Sequence, residues 1–212
     1  VTPIPEDMSY EEGAMIEPLA VAVHGVKQMG DVAGMNIAVL GAGPIGNLVA
    51  QFAKARGAKQ VLITDVSDFR LEMARKCGIE DTLNVAKTPF KEGIKSVFGD
   101  EGFQAAFEVA GVESSICSLM ECIEKGSTIV VVAVFDKDPS LSMFYLGEHE
   151  LKLNGTMMYR HEDYLAAVDM VSSGAIHLEP LISNRFLFEQ YDEAYKFIDE
   201  NRSTSMKIII KL

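Results

Sequence analysis

The feature that most constrains this chain is the glycine spacing Gly41-Ala42-Gly43-Pro44-Ile45-Gly46, set between a short apolar run and a patterned helix. In a G-x-G-x-x-G turn the first glycine permits a tight strand-to-helix reversal. The second removes a side chain where a diphosphate must approach the backbone, and the third lets helix and strand pack closely. The helix start then offers free N–H groups and a positive dipole end to the phosphates. Pro44 suits an early helical position, where its missing N–H costs nothing. Beyond the turn, Ile45, Leu48, Val49, Phe52 and Ala55 recur at helical spacing and form the apolar stripe of a helix that closes near Arg56-Gly57.

On either side of this turn the pattern alternates. Asn36–Leu40, Gln60–Thr64, Thr82–Val85, Phe103–Val109 and Ser127–Val134 read as strands. Helices read over Ser67–Cys77, Pro89–Phe98 and Glu113–Cys122. Ser127–Val134 is continuous and β-branched, with no polar alternation, as strands buried on both faces are. Strands alternating with helices of about three turns imply βαβ units and an α/β doubly wound parallel sheet, with the strand C-termini along one edge. The rest is less regular. It holds a strand at Leu151–Thr156, helices near Glu162–Ser173 and Glu189–Asp199, and a last strand, Met206–Leu212, assigned to another layer.

A length of 212 residues with 48% hydrophobic content can bury a substantial core. The net charge of −12, from 31 acidic against 19 Lys and Arg residues, repels phosphate backbones, and no basic cluster offsets it. A nucleic-acid partner is therefore not expected. No apolar run approaches the roughly 20 residues needed to span a bilayer, so no membrane role is expected. Three cysteines make no disulfide framework and suit a cytoplasmic chain. Val1-Thr2-Pro3-Ile4-Pro5-Glu6-Asp7 lacks signal-peptide character and an initiator Met, and reads as an extended linker, so the chain is expected to be a fragment. The four histidines are scattered without ligand spacing, Cys117 and Cys122 are expected as buried thiols, and the eleven methionines as core filling.

Asp65 ends the second strand nineteen residues after Gly46. A carboxylate there can accept both ribose hydroxyls of an adenosine and would repel the 2′-phosphate of NADP, which favours NAD. A loop acid or helix cap is the alternative reading. Arg70 could flank the adenine, or be a solvated helix cation. Flavin proteins and methyltransferases use similar turns.

The stretch Glu12-Gly13-Ala14-Met15-Ile16-Glu17-Pro18-Leu19-Ala20-Val21-Ala22-Val23-His24, followed by Val39-Leu40-Gly41-Ala42-Gly43-Pro44-Ile45-Gly46, resembles the medium-chain dehydrogenase superfamily. It is most similar to the zinc-dependent polyol branch of sorbitol, butanediol and threonine dehydrogenases. Phe107-Glu108-Val109-Ala110-Gly111-Val112, Gly155-Thr156-Met157-Met158-Tyr159 and a closing lysine-bearing strand match in the same order, and Arg160-His161-Glu162-Asp163-Tyr164 looks most like butanediol-type members.

The resemblance implies hydride transfer between a secondary alcohol or polyol and NAD, with a catalytic zinc acting as Lewis acid. Such a zinc takes about three protein ligands. The family's Cys and His-Glu ligands have no match here, nor does its four-cysteine structural zinc lobe, so catalytic residues are expected to lie outside this chain. Glu17 is the metal-site candidate, with an acid at the start of a helix opened by Pro18 as its alternative. The implied cofactor contacts are Gly41, Gly43, Pro44, Ile45, Gly46, Asp65, Arg70, Val109 and Ala110. Ala133 and Val134 would reach the carboxamide through their backbone, with Met157, Met158 and Val21 nearby. The resemblance further implies a homo-oligomer, with Leu151–Thr156 pairing across a two-fold axis to extend the sheet, and three parts. Residues 1–23 are a linker and remnant of a catalytic domain, 24–158 a dinucleotide-binding Rossmann domain, and 159–212 C-terminal helices with a returning strand. A zinc-independent medium-chain reductase and a non-enzymatic NAD sensor remain as alternatives.

Overall fold

The structure, a computed structural model, describes residues 2–212; Val1, the start of the expected linker, lies outside the described residues. Among the described residues eight α-helices and eight strands follow one another, beginning with α1 (Tyr10–Met29), β1 (Asn36–Leu40), α2 (Pro44–Ala55), β2 (Gln60–Asp65) and α3 (Asp68–Lys76). The chain continues through β3 (Asp81–Asn84), α4 (Phe90–Phe98), β4 (Ala105–Glu108), α5 (Glu113–Cys122) and β5 (Thr128–Val131). It closes with α6 (Met143–Glu148), β6 (Lys152–Gly155), α7 (His161–Ser172), β7 (Ile182–Leu187), α8 (Tyr191–Glu200) and β8 (Lys207–Lys211). Among the described residues no helix is long and apolar enough to cross a membrane.

Six strands form one parallel sheet in the order β3-β2-β1-β4-β5-β6. The chain reverses direction across the sheet between β1 and β4, the point at which doubly wound folds open a crevice. All five residues of β1 are buried, and they alternate between two cores. Ile37 and Val39 join a cluster with α1 and α2, while Ala38 and Leu40 join one with α4 and α5. A strand covered on both faces favours apolar residues on both, and this is why Ile37–Leu40 shows no alternation; the buried Asn36 before them donates to the Gly102 carbonyl (2.9 Å). The emphatic run expected over Ser127–Val134 pairs only over Thr128–Val131; beyond it the chain leaves the sheet along its carboxyl edge.

The expected returning strand pairs with a segment that the sequence reading left unassigned: β7 and β8 form a separate two-stranded parallel sheet. Glu11 on α1 ties this sheet down through Arg185 (2.8 Å) and Lys211 (3.0 Å). Hydrogen bonds from those two cations hold the Glu11 carboxyl down at about 2.

Helix α1 corrects one expectation. The chain does not open a helix at Pro18; the helix starts at Ser9, whose hydroxyl accepts from the Glu12 amide while Glu12 accepts from the Ser9 amide. This reciprocal box supplies the terminal amides with partners, so nucleation occurs there. Pro18 sits inside the helix, on a buried position, and leaves the Ala14 carbonyl without its usual donor.

Helices α1 and α7 are joined by a buried carboxylate. Asp163, 0% exposed, accepts from Lys27 Nζ (2.7 Å), His24 Nδ1 (2.8 Å) and the Arg160 amide (2.8 Å). With Nδ1 donating, His24 Nε2 is free to accept from Gln28 (3.2 Å). Burial raises the Asp163 pKa, but the three donors outweigh it and leave the carboxyl below its ordinary value. A depressed carboxyl stabilises the fold above its unfolded pKa and loses that contribution as pH falls. Asp163→Asn is expected to lower urea-unfolding stability by ~1–3 kcal/mol at neutral pH. The gap from wild type should narrow below about pH 4, near the ordinary aspartate value. Equal unfolding midpoints at pH 7 would show that the contact carries no stability.

Candidate functional site: the cleft at the sheet's carboxyl edge

A cleft of about 540 Å³ opens where the strand order reverses, lined by the ends of β1, β2, β3 and β4 and by α5. The glycine turn forms one wall. Gly41 has φ 107°, a left-handed backbone conformation, and a side chain there would come within 2.9 Å of the Ala110 amide nitrogen. A side chain on Gly46 would overlap the Gly41 carbonyl oxygen. A side chain on Gly43, by contrast, would meet nothing within 4 Å, because its Cα faces open space at the cleft. The three glycines thus meet three different demands: a backbone conformation, an open approach and a close helix–strand contact. Gly43 caps α2 without a side-chain partner, and Pro44 occupies the first turn, so the helix's leading amides stay available.

Asp65, at the end of β2, is 8% exposed. Its Oδ2 accepts from the Ala42 amide (2.8 Å) and its Oδ1 from the Ser67 amide (2.9 Å). The carboxylate therefore ties the glycine turn to the end of the next strand, and its remaining lone pairs can accept further hydroxyl donors. The cap of α3 is Ser67, whose hydroxyl accepts from the Arg70 amide (3.4 Å). Arg70 lines the same cleft, with its guanidinium 3.7 Å from Asp65 and a bond to the Arg202 carbonyl (3.2 Å). It is not simply solvated: it is held between Asp65 and the turn before β8.

Gly41, Gly43, Asp65, Arg70, Val109 and Ala110 all border this one cleft, and Pro44, Ile45 and Gly46 form the helix start beside it. Ala133 and Val134 follow β5 and lie against Gly111, a side chain on which would come within 3.0 Å of the Val134 carbonyl. Val134 is 79% exposed; Met157 and Met158, past the end of β6, are 71% and 53% exposed. Met158 adopts φ 54°, an uncommon conformation for an unbranched apolar residue. Val21 is half-buried on α1. These five residues do not border the cleft itself.

Sequence reasoning missed the cleft's apolar walls, Val66, Val85, Phe90 and Val112, and the Ser115 hydroxyl. Val66 directly follows Asp65 and is 66% exposed, a signal that only an accessibility argument could use. Of the eleven methionines only Met8, Met15, Met73 and Met120 are buried. Cys117 and Cys122 are half-buried rather than buried.

Glu17 stands apart on α1, next to Tyr159, where burial and the Glu17 carboxylate push the tyrosine hydroxyl above its ordinary value. Among the described residues no three His, Cys, Asp or Glu side chains converge to hold a metal ion. The donor set of this chain does not fit a zinc centre.

Comparisons with known proteins agree with this geometry. A family model described as zinc-binding dehydrogenase matches residues 44–173. Sorbitol dehydrogenase 1 of Saccharomyces cerevisiae is 32% identical over 98% of this chain and 60% of its own length. Among solved structures, L-idonate 5-dehydrogenase from Escherichia coli superposes with a TM-score of 0.90 at 27% identity, over 100% of this chain and 60% of its own. The 2R,3R-butanediol dehydrogenase from Bacillus subtilis gives 0.89 at 25% identity, over 99% and 60%. The chain thus spans about 60% of the length of these relatives. The cleft, the doubly wound sheet that forms it and a family model matching more than half the chain lead to one assignment: this chain belongs to the zinc-binding dehydrogenase family.

Proposed function

We propose that this chain is the NAD-binding part of an oxidoreductase that transfers hydride between a small secondary alcohol or polyol and NAD, zinc-assisted in the full-length enzyme. The observation that carries the reading is the meeting, in one cleft, of the open face of Gly43, the uncapped start of α2 and the Asp65 carboxylate. When bound, NAD would supply the hydride acceptor, and the residues of this chain would hold it in place.

In this reading the diphosphate rests against Gly43 and the first-turn amides of Ile45 and Gly46, where the helix dipole favours negative charge. Asp65 takes the ribose hydroxyls, already oriented by its bonds to Ala42 and Ser67. Arg70 borders the adenine side, and Val109 and Ala110 line the middle of the cleft. Along the carboxyl edge, the backbone of Ala133 and Val134 serves the carboxamide, with Met157, Met158 and Val21 around the nicotinamide. The unspent exposure of Val134 and Met157 and the strained backbone of Met158 support a surface that a ligand covers.

Glu17 is the metal-side carboxylate this chain contributes, and the remaining ligands come from sequence outside it. Residues 1–23, 24–158 and 159–212 are proposed as catalytic-domain remnant, nucleotide domain and C-terminal unit, with helix α1 running continuously across the first of these boundaries. A small-molecule substrate, a cytoplasmic setting and a homo-oligomer complete the reading; β6, at the edge of the sheet, is the strand that would pair between protomers.

Two experiments test it. NADH titration followed by fluorescence should give saturable binding without added zinc, and no turnover of sorbitol or butanediol by this chain alone. Saturable binding that requires zinc would overturn the assignment. Asp65→Ser removes the negative charge facing the ribose, so the preference for NAD over NADP should fall by about tenfold or more, as loss of a charged hydrogen bond implies. An unaltered ratio of the two affinities would mean that Asp65 does not read the ribose.

A further inference from the structure

Beneath the wall of the cleft lies a carboxyl group that cofactor contact does not use. Glu108 closes β4 and is 0% exposed. Its Oε1 accepts from the amides of Ala110 (3.0 Å) and Gly111 (3.0 Å) and from the Ser115 hydroxyl. Its Oε2 is buried with no partner among the described residues. The residues in register with it are Leu40 on β1 and Val131 on β5, and α5 contributes Ser115; no cation pairs with it among the described residues. Burial pushes its pKa up, and the three donors only partly offset the rise.

An unpaired carboxyl in such a place destabilises the fold. A strand that only needed a filled position would carry an apolar side chain there. What the carboxylate achieves is to gather two consecutive amides into one turn, with Gly111 at φ 71°. That turn abuts the glycine loop, since Ala110 N is the atom a side chain on Gly41 would strike. A contiguous path therefore runs from Glu108 through Ala110 to Gly41.

We propose that Glu108 is a positioning residue whose carboxylate fixes the Ala110–Gly111 turn against Gly41, and so shapes the nucleotide cleft at the expense of fold stability. The inference rests on the NAD reading above for its ligand. Ser115 couples the two states of the group. Its single hydroxyl proton lies within reach of both Glu108 and the Val112 carbonyl (2.7 Å). Ionised Glu108 holds that proton as a charged acceptor; protonation at the partnerless Oε2 leaves Oε1 a weaker, neutral acceptor and shifts the hydroxyl towards Val112, which lines the cleft.

The test uses the full chain and Glu108→Gln, an isostere that does not titrate. At pH 8 the variant should bind NADH about three- to tenfold more weakly, the usual effect of replacing a charged acceptor by a neutral one. Stability should move the other way. A buried acid with a raised pKa stabilises the fold most at low pH and loses that contribution as pH rises through its folded value. The difference in Tm should therefore shift towards the variant between about pH 4 and pH 8, starting from the ordinary glutamate value. Unchanged NADH affinity, or a Tm difference flat with pH, would overturn the proposal, because packing alone predicts parallel losses with no pH trend. A measurement on ligand-free wild type needs no variant: the Ala110 and Gly111 amide shifts should titrate together with a midpoint above ordinary glutamate. Static shifts would also overturn it. If those amides titrate and wild type fails to bind NADH, the cofactor reading fails and the turn-holding role of Glu108 stands.

Discussion

The cleft depends on one contact, the approach of the Gly41 carbonyl to the Cα of Gly46. No side chain fits between them, so β1 and α2 can cross at a distance that only glycine allows. That closeness aims the start of α2 at the space over the sheet's carboxyl edge, and it places Ala42 where its amide reaches Asp65. The neighbouring β4–α5 turn is fitted to the same contact, because Ala110 backs directly onto Gly41. Widening it by one methyl group would displace the helix start and the two strand ends together, since close-packed interiors transmit such shifts rather than absorb them.

Outside that contact, long-range polar ties add to the two hydrophobic cores and join elements distant in sequence. Asp163 joins α7 to α1 through His24 and Lys27, and Glu11 joins α1 to the small β7–β8 sheet. The turn before β8 reaches the cleft through the Ser203 and Arg202 carbonyls, which accept from Ser67 and Arg70. Helix α1 is thereby connected to both the main sheet's core and the C-terminal layer. A two-stranded parallel sheet is not stable by itself, so these ties and the packing of α8 are what keep it in place.

Much of this was legible in the sequence, and the reason is periodicity. Doubly covered strands such as Asn36–Leu40 are apolar from Ile37 to Leu40 without alternation, and the helices between them carry regular stripes, so order and type of these elements could be read directly. The glycine turn was legible because each glycine answers a steric demand. What escaped notice lacked such regularity. Strand β7, ISNRFL, mixes polar and apolar residues because its sheet is only partly covered. The capping box at Ser9 and Glu12 carried a readable start signal that Pro18 obscured. The structural role of His24 was not legible, because its partner Asp163 lies 139 residues away and no local spacing reveals it.

Three buried carboxylates mark the difference between holding a fold and shaping a site. Asp163 faces a lysine and a histidine and ends below its ordinary pKa, as a group that stabilises the folded state does. Asp65 sits at the cleft with two backbone amides and an arginine 3.7 Å away, which leaves acceptor capacity for a ligand. Glu108 has amides and a hydroxyl but no cation, and burial raises its pKa. Selection for stability alone would remove Glu108 first, since a neutral residue there would relieve the burial of a charge. Its place between the cleft-lining turn and the sheet makes it the acid whose geometry, rather than whose energy, the cleft uses.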